Sequence, residues 1–288
     1  MEVGLLYSRI RADEKLLLSE LRDRGHDVVK ADTRKLTFGL DEPPELLADC
    51  DVVLDRCLAT SRSRYATRFL EHYDIPVVNG ADTAAICADK VETSIALEAA
   101  DIPTPETTVA FTTDAALDAI EAFGYPCVLK PVVGSWGRLM AKLESRSAAE
   151  AVLEHKDTLG SYEHSVFYVQ QFVEKPGRDV RVLMAGGDPV AAMTRSSEHW
   201  ITNAAAGAET ETFELDEQAE TLAKQASEAV GGGLLGVDLM ETGDGYTVHE
   251  VNHTVEFTAL DGAVETDVAG KIVDWLETVP AVGGEVIA

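Results

Sequence analysis

Apolar positions along the chain alternate between two spacings. Val3 to Tyr7 is a short apolar run suited to a buried strand, and Ala12 to Arg24 then sets Leu17, Leu18 and Leu21 at helical spacing before Gly25. Val28-Val29, Val52 to Leu54 and Pro76 to Val78 read as further strands, with a helix across Ser63 to His72. Strands alternating with helices predict βαβ units and a parallel sheet over roughly the first 85 residues. Helices follow at Asp82 to Ala88 and Val91 to Ala100, until Pro103 and Pro105 break the pattern. Residues 107–170 read as a small α/β unit with a helix near Ala115 to Phe123. Beyond it come strands at Val180 to Ala185, Val190 to Thr194, Leu234 to Met240 and Tyr246 to Val251, a long helix near Asp216 to Val230 and a last one at Val268 to Leu276. The expectation is an α/β protein of three units, 1–87, 88–170 and 171–288.

Charge changes this picture more than composition does. With 45% hydrophobic residues among 288, the chain can bury a sizeable core, and no apolar run approaches the ~18 residues that span a bilayer. The N-terminal MEVGLLYSRIRADEK carries charges on both sides of a short apolar stretch, unlike a secretory signal. Against 51 acidic residues stand 24 basic ones, a net of −27, so nucleic acid and anionic membrane are repelled. We read the excess as a solvated surface adapted to high salt, where a Debye length of about 3 Å at 1 M confines charges to contact range. Cys50, Cys57, Cys87 and Cys127 form no CxxC pair, which points to free thiols in a reducing cytoplasm.

Two segments carry chemistry. In the first, Lys130 ends an apolar strand, Pro131 stops it, and Gly134, Ser135, Trp136, Gly137 and Arg138 form a loop returning to a second strand. Glycines let backbone N–H groups approach phosphate oxygens, and the lysine adds a point charge. No GK[ST] follows, so this is not a Walker A loop, and taken alone a glycine hairpin is more often only a turn. In the second, period-2 alternation puts Glu250 and Asn252 on one face, with Asp238 on an adjacent strand across a Gly-Asp-Gly turn. Two carboxylates and an amide oxygen are hard donors suited to Mg²⁺, although a buried hydrogen-bond network would use the same residues.

Together with LLYSRIRADEK, RCLATSRSR, IPVVNG, the Asp89-Lys90 pair, FYVQQFVEKPGRDVRV, SSEHWITN and HEVNHTVEF, these segments resemble the RimK-like branch of the ATP-grasp superfamily. Within it they are most similar to the LysX/ArgX-type ligases of carrier-dependent lysine and arginine biosynthesis. The blocks run in family order over nearly the whole chain. The resemblance implies an ATP-grasp fold, an N-terminal α/β domain with a central lid and a C-terminal α+β domain that clamp ATP. It implies ATP and two Mg²⁺ ions as cofactors. Lys90, Lys130 and the Gly134–Arg138 loop would meet phosphates, Gln171, Phe172 and Val173 would form the hinge that holds adenine, with Gln170 also in the nucleotide site, and Gln171 stands where the family usually carries Glu. Asp179, Arg181 and Asn203 complete the nucleotide site, Arg181 and Arg195 are the catalytic cations, and Asp238, Glu250 and Asn252 match the metal ligands.

The implied reaction activates a carboxylate as an acyl-phosphate for attack by an amine. The carboxylate is the C-terminal Glu side chain of a small acidic LysW-type carrier, and the amine belongs to glutamate or α-aminoadipate. Arg195, Asn203, Ala204, Glu256, Phe257, Thr258, Ala259 and Leu260 would surround the amino acid, and His249, His253 and Glu256 are near enough to consider as its base. Aminoadipate-type enzymes commonly read FKNS or FKNT where Phe257-Thr258-Ala259-Leu260 stands, and carry an Arg after ITN where Ala204 to Ala206 follow. Losing those polar groups favours glutamate. Six of fourteen arginines, Arg9, Arg11, Arg56, Arg62, Arg64 and Arg68, cluster in two N-terminal segments, and we expect them to contact the carrier unless they pair internally. The family also suggests a dimer or tetramer.

Overall fold

The computed structural model describes residues 1–134, 139–158, 165–202 and 208–279. Three sheets organise it. In the first, β1 (Glu2–Tyr7), β2 (Asp27–Asp32), β3 (Val52–Arg56) and β4 (Val77–Val78) run parallel in the order β2-β1-β3-β4, linked by α1 (Ala12–Asp23) and α2 (Thr60–His72). Parallel pairing sets Tyr7 opposite Arg56, so the loops after β1 and β3 leave the same edge side by side. Ligand crevices form at such carboxyl edges.

After α3 (Ala81–Ala88), Asp89 ends one helix and caps the next, its Oδ1 accepting from Val91 N at 2.8 Å at the start of α4 (Lys90–Ala99). The second sheet is antiparallel: β5 (Thr107–Ala110), β6 (Cys127–Lys130), β7 (Ala141–Leu143) and β8 (Phe167–Gln171) in the order β5-β8-β6-β7. Helices α5 (Thr113–Phe123) and α6 (Arg146–Thr158) belong to the same unit, whose core includes Leu129, Phe167 and Val169. Alternation therefore turns Lys130, Tyr168 and Gln170 away from that core.

The third sheet, order β11-β10-β9-β12-β13, is antiparallel and comprises β9 (Arg178–Ala185), β10 (Asp188–Ser196), β11 (Glu209–Thr212), β12 (Leu234–Thr242) and β13 (Gly245–Asn252). Leu235, Val237 and Leu239 pack with α7 (Glu217–Ala229), leaving Gly236 and Asp238 on the opposite face. A short α8 (Thr258–Asp261) and α9 (Val268–Leu276) follow.

One hydrophobic core unites the first and third units: Leu5, Leu17 and Leu54 share it with Leu183, Phe257 and Ile272. Buried Asn79 adds a polar staple. Its Nδ2 donates to Leu234 O at 2.9 Å and His253 O at 2.8 Å, and its Oδ1 accepts from Leu234 N at 2.6 Å. Gly233, at φ +115°, passes so close that a Cβ there would lie 2.1 Å from Asn79 Oδ1. The second unit has a core of its own. Among the described residues no helix is long and apolar enough to cross a membrane.

Candidate functional site

The three sheets enclose a cavity of about 920 Å³. The first unit contributes Arg11, Asp13, Leu58 and Thr60 from the loops and helix starts at its carboxyl edge; the second contributes Lys130, Gln170 and Gln171; Phe172 and Val173 line the crossing between units. The third sheet supplies Asp179, Arg181, Arg195 and Asp238, together with His249, Glu250 and Asn252.

Cross-strand register explains the charged centre. Asp238 on β12 lies opposite Arg181 on β9, and Arg195 on β10 lies opposite Asp179. Arg181 grips both oxygens of Asp238, Nε to Oδ1 and Nη2 to Oδ2, each at 2.7 Å. Arg195 bridges the two acids, Nε donating to Asp179 Oδ1 at 2.7 Å and Nη2 lying 3.1 Å from Asp238 Oδ2. Beside this cluster Gly236 makes room for Val255, since a Cβ there would sit 2.7 Å from the Val255 side chain, whereas Arg181 Nε would remain at an ordinary 3.7 Å. Burial would push the Asp238 carboxyl up, but the Arg181 and Arg195 guanidiniums overrule it and hold it well below the usual carboxylate range. For Arg195, burial works against the charge and is outweighed by Asp238 and Asp179, leaving it more firmly protonated than a free guanidinium.

A β-bulge shapes the neighbouring strand. Asp238 pairs with Glu250, yet Leu239 pairs with Val248, so His249 is the extra residue. His249, Glu250 and Asn252 consequently all reach the cavity, while Val248 and Val251 stay in the core. Asn252 Nδ2 lies 3.5 Å from Asp238 Oδ2, and Glu250 pairs with Lys90 at 3.1 Å. Lys90 also donates to Gly134 O at 2.8 Å.

Lys130 is buried and donates to Gln170 Oε1, with His249 Nδ1 at 3.4 Å. Burial pushes its ammonium down to about 7, Glu250 opposing the shift and Lys90 and Lys175 adding to it. His249 is held uncharged, first by burial and then by Lys130. His253 is pushed down to about 4 by burial and by Arg56, which makes it a weak base. Lys175 donates to Thr202 Oγ1 at 2.6 Å, and Thr202 donates in turn to Asp179.

A family model of the LysX preATP-grasp domain matches residues 3–86, and one of the RimK-like ATP-grasp domain matches residues 87–276. The chain belongs to the RimK-like ATP-grasp family. Its ATP-grasp fold recurs in the RimK domain protein of Sphaerobacter thermophilus, a crystal structure superposing with a TM-score of 0.82 at 34% identity over 98% of this chain and 100% of that one. It is 33% identical to the alpha-aminoadipate–LysW ligase LysX of Sulfurisphaera tokodaii, over 89% of this chain and 91% of the relative. It is 29% identical to the glutamate–LysW ligase ArgX of Sulfolobus acidocaldarius, over 96% and 98% respectively. Membership makes this ATP-grasp protein a carboxylate–amine ligase, of a family that binds ATP and typically Mg²⁺.

Within this ATP-grasp chain the structure sorts the residues singled out from sequence. Lys130, Gly134, Gln170 to Val173, Asp179, Arg181, Arg195, Asp238, Glu250, Asn252, Glu256, Thr258 and Ala259 line the cavity, and Lys90 lies beside it in a recess shared with Lys130 and Glu250. Ser135 to Arg138, Asn203 and Ala204 lie outside the described residues. Phe257 and Leu260 are corrected: both are buried in the core joining the first and third units, Phe257 beneath the Arg56 guanidinium. Arg56 itself is fully buried, donating to Glu14 and to Val255 O, and so cannot meet a partner protein. Arg11 is tied to Glu14 and Glu256, and Arg68 to Asp82 and Glu71. Lys175, Asp13 and Thr60 also line the cavity and were given no role from sequence, although each lies inside a block that carries the family resemblance; His249, considered there only as a base, lines it too. Asp13 Oδ1 accepts from the N–H groups of Phe257 and Thr258 at 2.7 and 2.8 Å, fixing α8 against α1.

Proposed function

We propose that the protein uses ATP and Mg²⁺ to join the α-amino group of glutamate or α-aminoadipate to the C-terminal Glu side chain of a small acidic LysW-type carrier. One observation carries this reading: Lys90, Lys130, Arg181 and Arg195 gather around Asp238, Glu250 and Asn252 on one side of a cavity whose other side is closed by Arg11, Asp13 and Thr60. One side suits a triphosphate and the other a small amino acid. The named LysX and ArgX relatives support the substrate assignment.

In this reading Lys90 and Lys130 hold phosphate oxygens. Phe172 and Val173 present peptide groups to adenine, the Gln171 N–H being already bound to Glu106 O at 2.9 Å. Asp238, Glu250 and Asn252 form an all-oxygen donor set of the hardness Mg²⁺ requires, and we assign two ions to it. Bound together, ATP and Mg²⁺ supply the phosphoryl group that activates the carboxylate as an acyl-phosphate and the charge that screens it. Arg181 and Arg195 are held rigid by their carboxylates before any ligand arrives, so they stabilise developing charge without reorganising. Thr258 and Ala259 line the amino-acid side, where a longer diacid finds no basic group of the FKNS type, and glutamate is the favoured amine.

The carrier-facing surface narrows to three arginines. Arg9, Arg62 and Arg64 are exposed and make no ion pair with any described residue, in a chain with 51 acidic groups. Arg62 and Arg64 sit in the first two turns of α2, which carries no acid in its first turn and no side-chain cap. Cations there oppose the helix dipole, an arrangement that an acidic partner at the cavity mouth would relieve. Incubating the carrier with enzyme, ATP and glutamate should add one glutamyl residue to its C-terminal Glu, read by intact mass and fragmentation. An unchanged carrier beside a free glutamyl product would rule the reading out.

A further inference from the structure

The buried Lys130 is held by a hydrogen-bond chain with only one allowed direction. Lysine has three donors and no acceptor, so Lys130 Nζ must donate to Gln170 Oε1. At the far end, Pro105 offers a carbonyl alone, so the Thr107 hydroxyl must donate to Pro105 O, at 2.9 Å. With its proton committed, Thr107 Oγ1 can only accept from Gln170 Nε2, also at 2.9 Å. The second N–H of that amide meets Tyr168 Oη at 3.0 Å, and Tyr168 Oη lies 2.8 Å from Ser94 Oγ. Every polar atom of Gln170 is used, and the amide cannot flip without setting an NH₂ against an ammonium.

The sheet explains why these groups meet. Gln170 lies on the central strand β8, directly opposite Thr107 on β5, and diagonal to Lys130 on β6, whose direct partner is Tyr168. The neutral amide also matters chemically. A carboxylate at 170 would accept from Lys130 but neutralise it, and would press its other oxygen against the committed lone pairs of Thr107. An amide holds the ammonium while leaving its charge unspent.

We propose that Gln170, locked by Thr107 and Tyr168, is the positioning residue that fixes the Lys130 ammonium for an anionic phosphate oxygen in the cavity. The inference rests on the reading of Lys130 as a nucleotide contact. Gln170 is nearly fully buried in the cavity wall, and Tyr168 and Thr107 support it from behind that wall.

Binding of a non-hydrolysable ATP analogue with Mg²⁺, followed by calorimetry without carrier or amino acid, tests it. Lys130→Ala establishes whether the lysine contributes at all; if its affinity equals wild type, the reading of Lys130 fails. Given a loss there, Gln170→Leu should weaken binding by roughly ten- to a hundredfold, the range for a hydrogen bond to a charged group. Thr107→Val, outside the cavity, should weaken it in the same direction by freeing the amide to turn. Thr107→Ser, which keeps the hydroxyl, should restore wild-type affinity. Thermal melting of each variant separates misfolding from mispositioning. Folded Gln170→Leu and Thr107→Val proteins that bind the analogue within twofold of wild type overturn the inference, as does a Thr107→Ser variant as weak as the valine.

Discussion

Asp238 and Glu250 stand directly opposite each other on β12 and β13, immediately before the bulge at His249, and each is held by a cation from outside that pair. Arg181 and Arg195 occupy Asp238, and Lys90 occupies Glu250. The acids thus anchor the cations that face the cavity and, in the proposed function, also offer oxygen donors to a metal.

That double use makes Asp238→Asn costly in two ways. Loss of the buried charge leaves two guanidiniums short of a partner, and stability should fall by about 3–5 kcal/mol. Displacement of Arg181 and Arg195 should lower kcat by roughly a hundred- to a thousandfold. Denaturant melts and steady-state ADP release separate the two effects.

Lys130 gives a pH signature. Folding lowers its pKa from 10.5 to about 7, so between those values the unfolded chain binds more protons than the folded one. The stability penalty of burying this ammonium is therefore complete below pH 7 and fades as pH rises toward 10.5. Nucleotide affinity should move the other way, weakening above pH 7 as binding comes to require proton uptake. Calorimetry in buffers of different ionisation enthalpy reads that uptake directly, and Lys130→Met should abolish it.

At the proposed carrier surface, Arg62→Glu with Arg64→Glu should raise the KM for the carrier at least about tenfold, through reversed steering and contact charge. The KM values for ATP and glutamate should stay unchanged, and added salt should shrink the difference. The same change at Arg68 should do less, because Arg68 is already paired with Asp82 and Glu71.

The joint between the first and third units depends on Asn79. Asn79→Ala strips the Leu234 N–H and the Leu234 and His253 carbonyls of their partner. Each buried group left unpaired is expensive, and a total loss of about 2–4 kcal/mol in stability is expected. Urea denaturation curves of the two proteins measure it.

Much of this site was legible because chemistry and alternation coincide in the sequence. Lys130 closes an apolar strand, and Asp238, Glu250 and Asn252 are polar positions in apolar runs, so their convergence could be expected. His249 could not be placed that way, since strict alternation turns it from Glu250, and only the bulge brings both to one cavity. Edge strand β11, of sequence ETET, has no apolar face to betray it. Phe257 and Leu260 looked like pocket residues by position alone; the core shared by the first and third units claims them, and no local pattern encodes so distant a contact. The arginines divide for the same reason, Arg56 meeting a Glu14 that lies 42 residues away.

The site itself is tested most directly by a crystal structure with a non-hydrolysable ATP analogue and Mg²⁺. The account predicts metal density with Asp238, Glu250 and Asn252 oxygens at about 2.0–2.1 Å, and Lys90 and Lys130 on the phosphates. Nucleotide bound with those three side chains turned away from the metal, or metal ligated elsewhere, contradicts it.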